Sequence, residues 1–157
     1  MKRTIKFRAQ RLDNGKWVYG DLEHNPGNKL TRIHTYDSKG DYQGQHIVIP
    51  ESVCQFTGLL DRNGKEIYEG DYITIDYKYD DICNGGVIPD QDCFCEGVAI
   101  YMNEFACYGL RLYKAEQPIK ETLKETPYLT LPLIEFDLVC DSMEILGNIY
   151  DNPELLK

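Results

Sequence analysis

Six cysteines are the residues of this 157-residue chain with the clearest potential for chemistry: Cys54, Cys83, Cys93, Cys95, Cys107 and Cys140. Structural zinc sites generally use Cys-x-x-Cys pairs, whose two thiolates reach one tetrahedral ion. The only closely spaced pair here is Cys93-Phe94-Cys95, with Cys83 and Cys107 as distant partners. We therefore predict reduced, structurally incidental thiols. The identity of any metal ligands stays unknown, and a metal-binding module built on Cys83, Cys93, Cys95 and Cys107 remains an alternative.

The three histidines, His24, His34 and His46, are separated by polar sequence. None of them has a Glu or a second His at the i, i+4 spacing that places two ligands on one helix face. We predict exposed loop histidines rather than metal ligands or general bases. No catalytic residue and no cofactor-binding residue can be assigned from these types and spacings.

Acidic residues crowd the centre of the chain: Asp76, Asp80, Asp81, Asp90, Asp92 and Glu96. Such a cluster raises calcium binding or hydrolysis by paired carboxylates, but the residue order of an EF-hand loop is absent. We predict a solvated acidic loop, and a hydrolase-like enzyme that uses these carboxylates is the alternative. The sequence contains no Gly-x-Gly-x-x-Gly or phosphate-binding loop, so we expect no nucleotide cofactor.

Tyrosine is abundant, with 12 residues that include Tyr36, Tyr42, Tyr68, Tyr72, Tyr77, Tyr79, Tyr101 and Tyr108. Strand tyrosines usually pack one face of a sheet, yet they also favour interfaces because they bury a large area while keeping a hydroxyl for hydrogen bonding. The sequence leaves both roles open, sheet packing and an interface with another subunit or partner.

The elements that must position these residues are mostly short strands. Ile5, Phe7 and Ala9 alternate with polar residues, Asn14-Gly15 supplies a tight turn, and residues 17–22 return as a second strand. Residues 23–44 are predicted to be loop, with one short strand at 30–35. Asn63-Gly64 repeats the turn chemistry before further alternating segments.

In the second half, residues 80–95 are predicted to be a loop and residues 116–125 one short helix. Closing strands are expected at 128–136, 138–140 and 143–150. A last helical turn is expected with Asn152 as its cap and Pro153 at its first position. Short strands with Gly and Asn turns, and no βαβ alternation, predict a mainly β fold that forms a partly open barrel or sandwich with one or two short helices.

Three stretches of the chain carry a family resemblance. They are Ile5-Lys6-Phe7-Arg8-Ala9, then Gln55-Phe56-Thr57-Gly58-Leu59 with Asn63-Gly64-Lys65-Glu66-Ile67-Tyr68-Glu69-Gly70-Asp71, and finally Ile145-Leu146-Gly147-Asn148-Ile149-Tyr150-Asp151-Asn152-Pro153-Glu154-Leu155-Leu156. Together they resemble the YopX family of phage and prophage proteins. The resemblance implies a mainly β fold with an SH3-like barrel element, a prophage origin, and no assigned activity, cofactor or catalytic residue. We expect a single domain over 1–157, with a variable loop at 80–95 and a helical insertion near 116–125.

The charge and composition of the chain limit the classes of partner that it can bind. The formal net charge is −9, which disfavours binding to nucleic acid because that affinity comes largely from Lys and Arg. Imitation of DNA by an acidic surface is a further alternative. No stretch approaches the roughly 20 apolar residues that a membrane-spanning helix needs, and no apolar stretch follows the basic residues at the start, so we expect a cytoplasmic protein.

These observations favour a non-enzymatic interaction protein over an enzyme. Its expected partner is another copy of itself, in a homo-oligomer, or a host or phage protein. No cofactor is expected.

Overall fold

The structure is a computed structural model that describes residues 4–27, 29–83, 86–116, 119–126, 129–133 and 142–157. Within that part, the side chains of 77–91 and 121–122 are left out of the description. The chain divides into two compact units, Met1–Gly58 (unit 1) and Leu59–Lys157 (unit 2). The expectation of one domain over 1–157 stays a prediction.

Unit 1 is built on an antiparallel sheet. Its strands are β1 (Phe7–Gln10), β2 (Trp17–Asn25), β3 (Leu30–Tyr36), β4 (Tyr42–Ile47) and β5 (Cys54–Leu60), whose last two residues belong to unit 2. The spatial order is β4-β3-β2-β1-β5. A 3-10 turn, Pro50–Ser52, separates β4 from β5.

The predicted hairpin of β1 and β2 is confirmed. Gly15 has a φ of +69°, a conformation that glycine adopts without steric penalty. The Lys16 N–H donates to Asn14 Oδ1 at 3.0 Å, and the Arg11 N–H donates to the Lys16 carbonyl at 2.9 Å. One face of the resulting sheet is apolar, with Ala9, Ile33 and Val48 buried at its centre. The opposite face of β2 and β3 is therefore left to polar and aromatic side chains.

Unit 2 contains a second antiparallel sheet of order β10-β9-β8-β7-β11. Its strands are β7 (Asp71–Cys83), β8 (Gly86–Met102), β9 (Cys107–Ala115), β10 (Thr130–Pro132) and β11 (Met143–Asn148). The short strand β6 (Glu66–Tyr68) follows β5 across a turn that the Asp61 N–H closes on the Lys65 carbonyl. The buried core residues are Ile67, Ile73, Ile75, Cys95, Ala99, Leu110, Leu112, Leu133 and Met143.

Two predicted loops are wrong. Residues 80–83 and 86–95 lie in β7 and β8, which pair through Asp76 with Phe94 and Lys78 with Asp92. Residues predicted to be loop in 23–44 likewise belong to β2, which ends at Asn25, and to β4, which begins at Tyr42. Pairing with an adjacent strand satisfies the backbone N–H and C=O groups of a polar segment as well as those of an apolar one. Polar composition therefore misled the prediction.

The mainly β prediction is confirmed, with two antiparallel sheets that do not close into a barrel over the described strands. The SH3-like barrel element stays an expectation from the family resemblance. The predicted helix near 116–125 is confirmed as α1 (Ile119–Glu125). The strand predicted at 138–140 lies outside the described residues, and within 128–136 the structure describes β10. The described residues include no helix with the length and apolarity to cross a membrane.

The terminal turn forms as a 3-10 helix, Pro153–Leu156, with Pro153 at its first position as predicted. Asn152 occupies the predicted cap position, but its side chain makes no capping hydrogen bond to this helix. Its Oδ1 accepts from the Asn148 N–H at 3.3 Å instead. The Asn152 side chain therefore stabilises the turn between residues 148 and 152 instead of the helix that follows.

Two buried carboxylates, in and beside the family-like stretches of unit 2, have clear structural roles. The Asp61 carboxylate is 4% exposed and accepts hydrogen bonds from the backbone N–H groups of Asn63 and Lys65, each at 2.9 Å, and of Ile145 at 3.4 Å. The buried Asp71 carboxylate accepts from the Tyr68 N–H at 2.8 Å. These carboxylates fasten turns, which leaves the search for a functional surface to the exposed residues.

Candidate interaction surface

An ion cluster lies on the polar face of unit 1. Antiparallel pairing of β2 with β3 sets Glu23 opposite Arg32 and Asp21 opposite His34. Arg32 donates to Glu23 Oε1 at 2.9 Å, and His34 Nε2 lies 2.7 Å from Glu23 Oε2. The hydrogen bond from His34, with the Arg32 charge, holds the pKa of Glu23 below its ordinary value. The carboxylate thus bridges two cationic or hydrogen-bonding side chains.

Two exposed tyrosines adjoin this ion cluster. The Tyr42 ring lies 5.9 Å from His34 and 5.9 Å from Tyr36, edge-on to the latter. Tyr36 and Tyr42 are 46% and 56% exposed. Partial burial and the neighbouring Asp21 carboxylate raise the pKa of Tyr36, so its hydroxyl remains a hydrogen-bond donor at neutral pH. We call Glu23, Arg32, His34, Tyr36 and Tyr42 the aromatic–ionic cluster.

Strand β4 forms one edge of the sheet in unit 1. The Val48 N–H donates to the Thr31 carbonyl on the β3 side, whereas the Ile47 carbonyl accepts from the Leu12 N–H on the opposite side. Because backbone groups alternate along an antiparallel strand, Gln45, two residues before Ile47, also directs its N–H and C=O away from β3. Residues 42–47 include no Pro and no Asp, Glu, Lys or Arg, the usual protection of an edge strand.

A cleft of about 380 Å³ opens beside this edge, and we call it the β4 cleft. Leu12 and Ile47, 64% and 42% exposed, supply its apolar surface. Arg11 donates to the Asp13 carboxylate through Nε at 2.9 Å, and that hydrogen bond lowers the pKa of Asp13. The full lining is Arg11, Leu12, Asp13, Gln45, His46 and Ile47.

Unit 2 has a protruding apolar turn of its own between β8 and β9. Phe105 is 65% exposed and Tyr101 is 41% exposed, with exposed Glu104 between them. Ala106 has a φ of +51°, and only one other non-glycine residue in the described chain, Lys29, has a positive φ. Such conformations are strained and concentrate at functional positions. We call residues 101–106 the β8–β9 tip.

The two units differ sharply in charge. Unit 1 carries nine Lys and Arg against six Asp and Glu, a net charge of +3, and it holds all three histidines. Unit 2 carries eight Lys and Arg against 20 Asp and Glu, a net charge of −12. The overall charge of −9, which argued against nucleic acid, is therefore carried by unit 2 alone.

The structure does not bring the candidate cysteine ligands together. Cys93 and Cys95 lie on β8 opposite Tyr77 and Ile75, whereas Cys83 pairs near the far end of this hairpin and Cys107 pairs with Met102. At about 3.3 Å per residue, Cys83 and Cys107 lie roughly 20 Å from the Cys93 and Cys95 pair, in opposite directions. Cys140 lies outside the described residues. Within the described ranges, no three His, Cys, Asp or Glu side chains are grouped as metal ligands.

Cys95 provides a test of this arrangement. Its side chain is fully buried, and burial, with the nearby Asp76 and Glu96 charges, raises its pKa to about 12. We expect brief alkylation with iodoacetamide at mildly alkaline pH to leave Cys95 unmodified in the native protein and to modify it in urea. Peptide mass mapping, with half-buried Cys107 as the internal comparison, would contradict the packing if native Cys95 reacted first.

The prediction that the histidines lie in loops is wrong. His24, His34 and His46 all lie in strands, on β2, β3 and β4. His34 has a carboxylate partner, but Glu23 is 11 residues away in sequence and reaches it across the sheet. A search for helical i, i+4 spacing could not find this pair. Had residues 23–44 been predicted to contain a hairpin, the cross-strand pairing of Glu23 with Arg32 would have followed from the sequence.

The acidic residues divide between the strands of the β7–β8 hairpin. The Asp76 carboxylate lies 3.4 Å from the Arg62 guanidinium. Glu96 accepts from the Tyr72 hydroxyl at 3.1 Å and from Lys114 at 3.0 Å, and these contacts tie β7 and β9 to β8. Asp92 is exposed. The backbones of Asp80, Asp81 and Asp90 lie in the strands, and their side chains are outside the description.

The described tyrosines divide between buried and exposed positions, and the interface role stays a prediction. Tyr68 and Tyr72 are buried, whereas Tyr36, Tyr42 and Tyr101 are exposed. Sequence reasoning missed Leu12, Ile47 and Phe105, whose exposure depends on where the strands end. No signal in the sequence separates these three from core residues of the same type.

The family model described as YopX protein matches residues 6–127. No curated protein matches the chain. A crystal structure of protein EF1440 from Enterococcus faecalis is 19% identical, with a TM-score of 0.46, and the match covers 99% of this chain and 100% of that one.

Proposed function

Because this chain belongs to the YopX family, we propose that it is a phage- or prophage-derived protein that works by association rather than catalysis. Its proposed partner is another copy of the same chain. The observation that carries the proposal is the uncharged edge strand β4, flanked by exposed Tyr36 and Tyr42. The proposed compartment is the cytoplasm, where thiols such as Cys54 and Cys95 stay reduced.

The composition of the aromatic–ionic cluster supports a protein interface. Tyr and Arg are enriched among the residues that dominate binding energy, because they bury large areas and keep polar contacts. Tyr36 and Tyr42 present such area, and Arg32, held by Glu23, lies on the same face of β3 with His34 between it and Tyr36. The cluster is preorganised by its cross-strand contacts, which lowers the entropy lost on binding.

The uncharged strand β4 also suits self-association. Two copies with a net charge of −9 repel one another, so contact is least unfavourable where the surface carries no acidic side chain. Residues 42–47 meet that requirement, and unit 1 as a whole is positively charged. Exposed edge strands of this kind add strands from other chains.

Replacing Tyr36 and Tyr42 together by Ala should raise the dissociation constant of the homo-oligomer about tenfold or more, because truncating interface hot spots costs about 2 kcal/mol or more. Native mass spectrometry and sedimentation over a concentration series would measure it. Leu146→Ala, which removes a side chain of similar exposure (46%) from unit 2, is the matched control.

A wild-type chain that stays monomeric throughout the concentration series would contradict self-association. A host or phage protein would then become the partner to seek for the same surface. Equal weakening by Leu146→Ala would show instead that the tyrosines have no special share in the contact.

A further inference from the structure

We infer that copies of this chain associate head to tail, with the β8–β9 tip of one copy seated in the β4 cleft of the next. The inference deepens the proposed function and depends on it, because it names the two surfaces through which self-association occurs. It commits the cleft to a single occupant, a second copy of the same chain.

Shape and apolar character match at this contact. Phe105 projects from the tip with 65% of its surface exposed, and the cleft offers Leu12 and Ile47, 64% and 42% exposed. Clefts of 300–1,000 Å³ enclose drug-sized ligands, so one of about 380 Å³ accommodates a single aromatic side chain. Burying these three side chains together removes from water Leu12 and Phe105, the most exposed large apolar residues described in unit 1 and unit 2, along with part of Ile47.

Charge favours the same pairing. Unit 1 carries +3 and unit 2 carries −12, so the unit that holds the cleft attracts the unit that holds the tip on another copy. The cleft lining itself holds one cation and one anion, Arg11 and Asp13, which pair with each other, so the attraction comes from the net charges of the units. Complementary charge accelerates association and fixes orientation, although it adds less to affinity than the apolar contact does.

Backbone features support the contact on each side. The Gln45 N–H and C=O point away from β3 toward the cleft side of the sheet, where the N–H can donate to an added segment and the C=O can accept from it. On the tip, the Phe105 N–H donates to the Met102 carbonyl, and Ala106 holds a positive φ. This turn fixes the position of Phe105 before any partner arrives.

A contact between two different surfaces is heterologous, and it behaves differently from a two-fold symmetric contact. Each copy has one cleft and one tip, so contacts propagate until a ring closes or a filament grows. A variant that lacks either surface cannot bind itself. Two variants that lack different surfaces can still form one contact with each other.

The test uses the full-length variants Leu12→Asp, in the cleft, and Phe105→Asp, in the tip. Both side chains are highly exposed, so we expect each variant to fold, which circular dichroism and thermal melting would verify. Each variant alone should be monomeric at concentrations at which the wild type is oligomeric. An equimolar mixture should form heterodimers that stop at two subunits, identified by native mass spectrometry with one variant labelled with ¹⁵N.

The outcomes separate the two proposals. If both variants assemble as the wild type does, the head-to-tail contact is wrong while self-association stands. If each is monomeric and the mixture stays monomeric, the cleft and the tip do not bind each other. If the wild type itself is monomeric, the proposed function fails. Leu146→Asp, at another exposed apolar residue of unit 2, should assemble normally, and loss of its assembly would remove support for the tip as the contact.

Discussion

Replacing Asp61 by Ala should lower the free energy of unfolding by about 3 kcal/mol or more. The buried carboxylate accepts from the backbone N–H groups of Asn63, Lys65 and Ile145, and Ala leaves all three donors without this acceptor. A buried donor left unsatisfied costs about 1–3 kcal/mol, and hydrogen bonds to a charged group are at the strong end. Urea denaturation would measure the loss, which is large beside the 5–15 kcal/mol typical of a whole domain.

Two controls sharpen this prediction. Asp61→Asn keeps one acceptor oxygen, so its loss should be smaller. Asp13→Ala removes an exposed carboxylate beside the Asn14-Gly15 turn, and because solvent screens its ion pair with Arg11, the loss of stability should be much smaller. If Asp13→Ala and Asp61→Ala destabilised the protein equally, the buried network around Asp61 would not have the importance assigned to it.

The same carboxylate makes stability depend on pH. Burial raises the pKa of Asp61, but the donors from Lys65, Asn63 and Ile145 together lower it further, so its folded pKa lies below the ordinary 3.8. The contribution is therefore present above pH 3.8 and is lost as the pH falls through the lower folded value. Asp61→Asn should remove that part of the acid sensitivity.

Replacing Gly20 by Ala should separate β2 from β3. An added Cβ would stand 1.8 Å from the His34 carbonyl oxygen and 2.9 Å from its carbon, and backbone atoms cannot move aside as a flexible side chain can. Overpacking of this kind typically costs 1–3 kcal/mol, and we expect a value near the upper end. Hydrogen exchange of the β2 and β3 amides would show faster opening, together with loss of the Glu23 to His34 contact.

Gly44→Ala is the matched control for Gly20→Ala. Gly44 has nearly the same φ, +150° against +158°, but a Cβ there meets nothing within 4 Å. The difference between the two variants isolates the steric clash from backbone strain. Equal effects would mean that the close approach of His34 to Gly20 does not limit the substitution.

The sequence predicted elements whose signals are local. Asn14-Gly15 forms its turn, residues 116–125 contain the helix, and Pro153 begins the last 3-10 helix. These signals succeed because the chemistry of a few neighbouring residues fixes their φ and ψ angles. The family resemblance rested on such local stretches as well, and it is confirmed over 6–127.

The sequence also failed for identifiable reasons. The strands at 80–83, 86–95 and 42–47 show no apolar period in the sequence, yet backbone hydrogen bonds to a neighbouring strand form them all the same. Asn152 stands at the cap position, but its side chain does not cap the helix, because its Oδ1 accepts from another donor, the Asn148 N–H. In both cases a hydrogen-bond partner outside the segment decided the outcome.

By itself, then, the sequence determined the mainly β class, the glycine turns, the short helix and the family. Only the tertiary structure decided which polar residues meet. Glu23 reaches Arg32 and His34 because β2 pairs with β3 in one register, and a shift of one residue would turn these side chains to the opposite face. The exposure of Leu12, Ile47 and Phe105 is decided in the same way, because it depends on what the folded chain leaves uncovered rather than on residue type.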